Sequence, residues 1–154
     1  MHRPEDFYTT DKGLSSSLIN HFLQDSKGFI WTATEYGLNS FDGLRFTNYW
    51  HVSGDSTSIK NNYVRTLFED SRQNLLIGCI DGLMKYDRET NTFSEIPMIR
   101  AGKRVFPHVT QMQELHNGEI WMTTTGQGMS VWTKSRNKLF RWMNFYVNPI
   151  ITFN

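Results

Sequence analysis

Asp25-Ser-Lys-Gly-Phe-Ile-Trp31, Asp70-Ser-Arg-Gln-Asn-Leu-Leu76 and Leu115-His-Asn-Gly-Glu-Ile-Trp121 are three versions of one phrase, set 45 residues apart in a chain of 154. Each places Asp, Ser, Asn or Gly between two short apolar runs. A side-chain oxygen there can bond the backbone two residues on, and Gly or Asn accepts positive φ, so each phrase predicts the turn of a β-hairpin. Working outward, the first strands of the three repeats fall at Ile19 to Gln24, Val64 to Glu69 and Val109 to Glu114. The second fall at Phe29 to Thr34, Leu75 to Cys79 and Glu119 to Thr124. Third strands follow at Gly37 to Phe41, Gly82 to Tyr86 and Gly128 to Trp132, and fourth strands at Arg45 to Tyr49, Thr92 to Ile96 and Leu139 to Met143. Helix is excluded because the apolar runs last only about 4 to 6 residues and never sustain the i, i+3, i+4, i+7 spacing. A period of this length built from four short strands predicts one blade of a β-propeller per repeat. The expectation is an all-β chain, a partial β-propeller of about three four-stranded blades.

Composition excludes several partners. Sixteen Lys and Arg stand against fifteen Asp and Glu, a net charge of +1 that gives no pull toward nucleic acid. No run approaches the roughly 18 apolar residues of a membrane span. Met1-His-Arg-Pro-Glu-Asp6 lacks the apolar core of a signal peptide, so the chain made as given is expected to stay in the cytoplasm. Cys79 is the single cysteine, which rules out an intrachain disulfide and predicts a buried, reduced thiol.

The wording Gly13-Leu-Ser, Asp25-Ser-Lys-Gly-Phe-Ile-Trp31, Tyr36-Gly-Leu38 and Phe41-Asp-Gly43 resembles the two-component regulator propeller repeats. Those repeats build the periplasmic sensor region of hybrid two-component system proteins in Bacteroides-type bacteria. The resemblance runs from Phe7 to about Leu139, and the second copy, Ser58 to Phe93, follows the pattern most closely. Departures are Leu76 where the family has Trp, Gln73-Asn74 where it has Gly-Asn, and Leu115 in place of the turn Asp. The resemblance implies a periplasmic location, an oligosaccharide ligand and control of polysaccharide-utilisation genes. It also implies seven-bladed propellers followed by a membrane helix and kinase. On this pattern residues 1–13 are an N-terminal segment able to close an outer strand. Residues 14–58, 59–104 and 105–143 are the blades, and 144–154 a tail or the start of a fourth repeat. Three blades do not close a ring, so the chain is expected to be a fragment of a larger propeller, its end faces covered by missing blades or by self-association.

Catalytic constellations are absent from the sequence. His2, His21, His51, His108 and His116 show no i,i+3 or i,i+4 pairing for a metal, no G-x-S-x-G occurs, and Gly126-Gln-Gly128 lacks the helix that a phosphate loop needs. No enzyme activity and no cofactor are therefore expected. Asp25 and Asp70 are repeat equivalents, predicting a structural turn role, and Trp31 and Trp121 likewise predict packing between blades. A ligand site belongs where the repeats differ, on the face bearing the loops that lead into each first strand and out of each second strand. That face offers Tyr36, Trp50, His51, Asn62, Tyr63, Arg65, Arg104, His108 and Gln111, with Glu35, Asp81 and Gln127 nearby in sequence. Aromatic faces suit the C–H patches of a sugar, amides its hydroxyls, and Arg the charge of acidic sugars. Two other readings use the same repeat: a streptogramin-lyase-like propeller, which needs a metal and a poised His51 or His108, and a protein-interaction scaffold.

Overall fold

The computed structural model describes residues 7–133 and 140–143. The expectations for residues 1–6 and 144–154 lie outside the described residues. Three four-stranded antiparallel meanders follow one another along the chain. The first holds β1 (Ile19–Gln24), β2 (Ile30–Thr34), β3 (Gly37–Phe41) and β4 (Phe46–Tyr49). The second holds β5 (Val64–Glu69), β6 (Leu75–Cys79), β7 (Gly82–Asp87) and β8 (Thr92–Ile96). After the small hairpin β9 (Met98–Arg100) and β10 (Lys103–Val105), the third holds β11 (Val109–Glu114), β12 (Glu119–Thr124), β13 (Gly128–Thr133) and β14 (Phe140–Met143). These sheets are the blades of a partial β-propeller. Before the first blade, Thr10–Lys12 makes a single 3-10 turn, and Tyr8 rests its ring on Phe41 and Phe46 at 5.1 and 5.7 Å.

The three turns that announced the fold close in related ways. Asp25 Oδ1 accepts the N–H of Lys27 at 2.9 Å and of Phe29 at 3.0 Å, and Asp70 Oδ1 accepts those of Arg72 at 2.8 Å and Asn74 at 3.0 Å. Leu115 has no side-chain oxygen to offer, so Asn117 Oδ1 takes the Glu119 N–H at 3.1 Å instead. Gly28, Gln73 and Gly118 all adopt positive φ at the same turn position, 90°, 64° and 77°. Ser26 then ties its turn to the next blade, donating through its backbone N–H and its hydroxyl to Glu69 at 2.7 and 2.9 Å. Ser71 repeats this clamp on Glu114 at 2.7 and 2.8 Å.

Alternation along β6 serves two cores at once, since successive strand residues face opposite sides of a sheet. Leu75, Ile77 and Cys79 join Trp31, Ala33, Leu38 and Val64 between the first and second blades. Leu76 joins Val109, Ile120 and Met122 between the second and third. Gly78 leaves no room for a side chain, because a Cβ there would lie 2.6 Å from Thr66 Cγ2 on the paired strand and 3.1 Å from Val109 Cβ of the next blade. Burial pushes the Cys79 thiol up to about 12, so it is an inert core group.

Two sequence expectations need correction. The repeat equates Trp31 with Trp121, yet Trp31 is 1% exposed, between Tyr49 and Tyr86, whereas Trp121 is only half-buried. The sheet that covers Trp31 has no counterpart over Trp121 among the described residues. The hairpin β9 to β10 was also not foreseen. Its two-residue turn, Ala101-Gly102, takes positive φ at both positions, 48° and 76°, as a type I′ turn requires, but without the Asn or Asp that usually signals one.

Candidate functional site

Each inner strand is interrupted at the same place. Pairing with the second strand slips between Ile19 and His21, between Val64 and Thr66, and between Val109 and Gln111. The residues left over are Asn20, Arg65 and Thr110, one β-bulge per blade. A bulge releases one residue from the ladder and re-aims its side chain. Where β1, β5 and β11 lie side by side, they form a cleft of about 560 Å³ that all three bulge residues line.

The first two blades interlock across this cleft. Asn20 Nδ2 donates to the Val64 carbonyl at 2.8 Å, and the Leu67 N–H donates to His21 Nδ1 at 3.0 Å. Both bonds satisfy outward-facing groups on the free edge of β5. Because Nδ1 accepts, the His21 ring is neutral with its proton on Nε2, and partial burial holds it below the usual histidine value. Arg65 is held differently: Nη1 makes one long contact, 3.5 Å, to Asn20 Oδ1, and among the described residues the guanidinium meets no carboxylate.

Of the nine expected site residues, Arg65 and Gln111 line the cleft. Tyr63 and His108 come together beside Arg65. Their rings meet edge to face at 6.1 Å, and Tyr63 Oη donates to Glu35 Oε1 at 3.2 Å. Burial, helped by the Arg65 charge, keeps the His108 ring below its ordinary value; its Nδ1 lies 3.4 Å from Thr125 Oγ1. The other five are placed elsewhere. The His51 N–H donates to Asn62 Oδ1 at 2.7 Å, and His51 Nδ1 donates to the Ile59 carbonyl at 3.0 Å, so this pair fastens the loop before β5. Trp50 packs beside Gly37, and Tyr36 projects from the turn after β2. Arg104 pairs with Glu95 on the outer strand β8 at 2.8 Å, beside Lys60, which bonds the same carboxylate at 2.7 Å.

Asn20 and His21 were not among the expected residues. Their signal was present in the variation of the inner strands: positions 20, 65 and 110 read Asn, Arg and Thr, while the turns on either side repeat. Among the described residues, no three His, Cys, Asp or Glu side chains are grouped so as to hold a metal ion. None of the described helices is long and apolar enough to cross a membrane.

Comparison with known proteins gives this geometry a context. Residues 13–36 match the two component regulator propeller family. A histidine kinase of Formosa agariphila is 44% identical over 52 residues, which is 34% of this chain and 4% of the kinase. The extracellular domain of a hybrid two component system from B. thetaiotaomicron is 28% identical and superposes with a TM-score of 0.81, over 96% of this chain and 21% of that one. A second such domain from the same organism is 22% identical with a TM-score of 0.69, over 83% and 18%. A streptogramin B lyase, 17% identical with a TM-score of 0.58 over 80% of this chain and 40% of its own, shares the fold alone. The chain spans about a fifth of the length of the extracellular domains it matches. Residues 13–36 thus carry the wording of a two component regulator propeller repeat, and the chain as a whole is similar to one such extracellular domain.

Proposed function

We propose that the chain is part of the periplasmic sensor region of a hybrid two-component system, and that it binds an oligosaccharide whose capture regulates polysaccharide-utilisation genes. The observation that carries this reading is the 28% identical match across 96% of the chain to the extracellular domain of such a system. The cleft on the inner strands supplies the matching chemistry. Amides of Gln111 and Gln113 can exchange hydrogen bonds with sugar hydroxyls, and Leu23 and Met112 offer apolar surface. A ligand seated there touches strands of neighbouring blades, so its binding energy acts on how the blades sit against each other. That is what a sensor needs, since a ligand shifts a conformational equilibrium only by its differential contacts with the two states.

The part played by these residues is binding and not turnover. His51 has its Nδ1 committed to a loop carbonyl, and His108 stands beside Tyr63 and Arg65, with no carboxylate among the described residues to orient it as a base. Calorimetric titration of the chain with a panel of oligosaccharides, followed by chromatography of the sugars, is the test. Saturable binding with every sugar recovered intact is expected. Cleavage of any panel member would overturn the reading.

A further inference from the structure

Among the described residues that line the inner-strand cleft, Arg65 is the one charged side chain, and neither Asp nor Glu is among them. Its bulge equivalents are already engaged within the protein. Asn20 donates to the Val64 carbonyl at 2.8 Å, and Thr110 Oγ1 lies 2.7 Å from Thr123 Oγ1. The nearby carboxylate of Glu35 accepts the Tyr63 hydroxyl at 3.2 Å. Arg65 therefore presents five N–H donors with, among the described residues, a single long contact, to Asn20 Oδ1 at 3.5 Å, in a concavity of about 560 Å³. The neighbouring blade widens the contrast. His21 of the first blade accepts the Leu67 N–H of the free β5 edge, and its repeat equivalent in the second blade is Thr66.

An ordinary solvated arginine would also lack an ion pair. What separates Arg65 from that case is its position: the bulge that re-aims it recurs in the same register in all three blades, and only here does it carry a cation. A planar guanidinium can grip a carboxylate or a sulfate ester through two parallel N–H bonds, which neutral sugar hydroxyls cannot match in charge. We infer that the ligand of this cleft is an acidic oligosaccharide, whose carboxylate or sulfate ester docks on Arg65 while Gln111 and Gln113 meet its hydroxyls. This deepens the oligosaccharide reading and rests on it.

The test uses the full chain and three probes of equal length, maltotriose, trigalacturonic acid and a sulfated galactose trisaccharide, followed by saturation-transfer NMR and calorimetry. At least one acidic probe is expected to bind about 10-fold or more tightly than maltotriose, and the two acidic arms identify carboxylate or sulfate as the group read. Raising salt should weaken the acidic probe and leave maltotriose unchanged. Arg65→Ala should erase the preference while far-ultraviolet circular dichroism stays that of the parent. Arg65→Lys, which keeps the charge and loses the fork, should retain only part of it. Equal affinity for acidic and neutral probes, or an equal loss of both on Arg65→Ala, would overturn the inference and leave the oligosaccharide reading standing. The salt and probe comparisons on the unaltered chain decide this even if the Ala variant does not fold. Absence of binding by all three probes would remove both.

Discussion

The indole N–H of Trp31 donates to Asp25 Oδ2 at 2.7 Å, and the same oxygen receives Arg88 Nη1 from the next blade, also at 2.7 Å. Arg88 Nη2 continues to Glu69 at 2.9 Å, so one buried carboxylate joins the core tryptophan of the first blade to the second blade. Burial pushes the Asp25 carboxyl up, but the donors from Trp31, Arg88 and Phe29 together outweigh it and hold it below the usual carboxylate value.

A carboxyl lowered in the folded state contributes stability above its unfolded value of about 3.9 and loses it as pH falls through the folded value. The chain is therefore expected to weaken progressively below about pH 4. Asp25→Asn leaves Arg88 with Glu69 alone and should lower stability by about 2 to 3 kcal/mol at pH 7, with a smaller further loss on acidification. Urea midpoints of parent and variant at pH 7 and pH 3 give the comparison. Parallel losses in the two proteins would show that Asp25 is not the linked group.

Trp31→Ala removes a side chain covered on both faces and should cost on the order of 3 to 5 kcal/mol. Trp121→Ala, at the equivalent but half-buried position, should cost about half as much or less. Guanidinium midpoints decide it, and equal losses would mean that Trp121 is as well covered in solution as Trp31.

This pair shows how far the sequence reaches. The turn chemistry of Asp25, Asp70 and Asn117 located the strands of all three blades, because a turn is a local event of four or five residues. Burial of Trp121 is decided by a neighbouring sheet, and no local pattern encodes it. The bulges at Asn20, Arg65 and Thr110 escaped for a similar reason: a register slip belongs to two strands together, and neither strand's sequence marks it. No local signal marks the turn at Ala101-Gly102, so the sequence alone places Arg104 with the ligand residues. Once that hairpin forms, β10 carries Arg104 to Glu95 and away from the inner strands.

Gly78 tests how tightly Thr66 of its own blade and Val109 of the next close over β6. Gly78→Ala would drive a methyl group against Thr66 Cγ2 and Val109 at 2.6 and 3.1 Å, and should destabilise by about 1 to 3 kcal/mol. Adding Thr66→Ser, which deletes the nearer methyl, should return part of the loss. A double-mutant cycle in urea measures the coupling, and purely additive effects would place the strain elsewhere.

His21 links the fold to pH nearer neutrality. Its folded value lies below the unfolded one of about 6.5, so the unfolded chain binds the proton more readily and stability falls as pH drops below about 6.5. Protonation also removes the lone pair that accepts the Leu67 N–H. His108 is lowered in the same direction and adds to the trend. His21→Gln can keep an acceptor for Leu67 without titrating, so melting temperatures between pH 7.5 and 5.5 should vary less in the variant. An unchanged slope would assign the effect to His108.

The face of the first blade away from the second carries the last expectation. Ile19, Phe22 and Ile30 are 46%, 70% and 36% exposed, whereas their repeat equivalents Val64, Leu67 and Leu75 are at most 2% exposed against the preceding blade. Apolar side chains at positions that bury a neighbouring blade elsewhere in the same molecule will seek cover, and exposed patches of this kind promote association. The 154-residue chain on its own is therefore expected to self-associate. Phe22→Glu places a charge at the centre of that face and should shift sedimentation toward the monomer, while Lys27→Glu, on the exposed turn after β1, should not. Analytical ultracentrifugation of the three proteins at matched concentration tests this, and a parent that sediments as a monomer would show that the face is covered from within the chain.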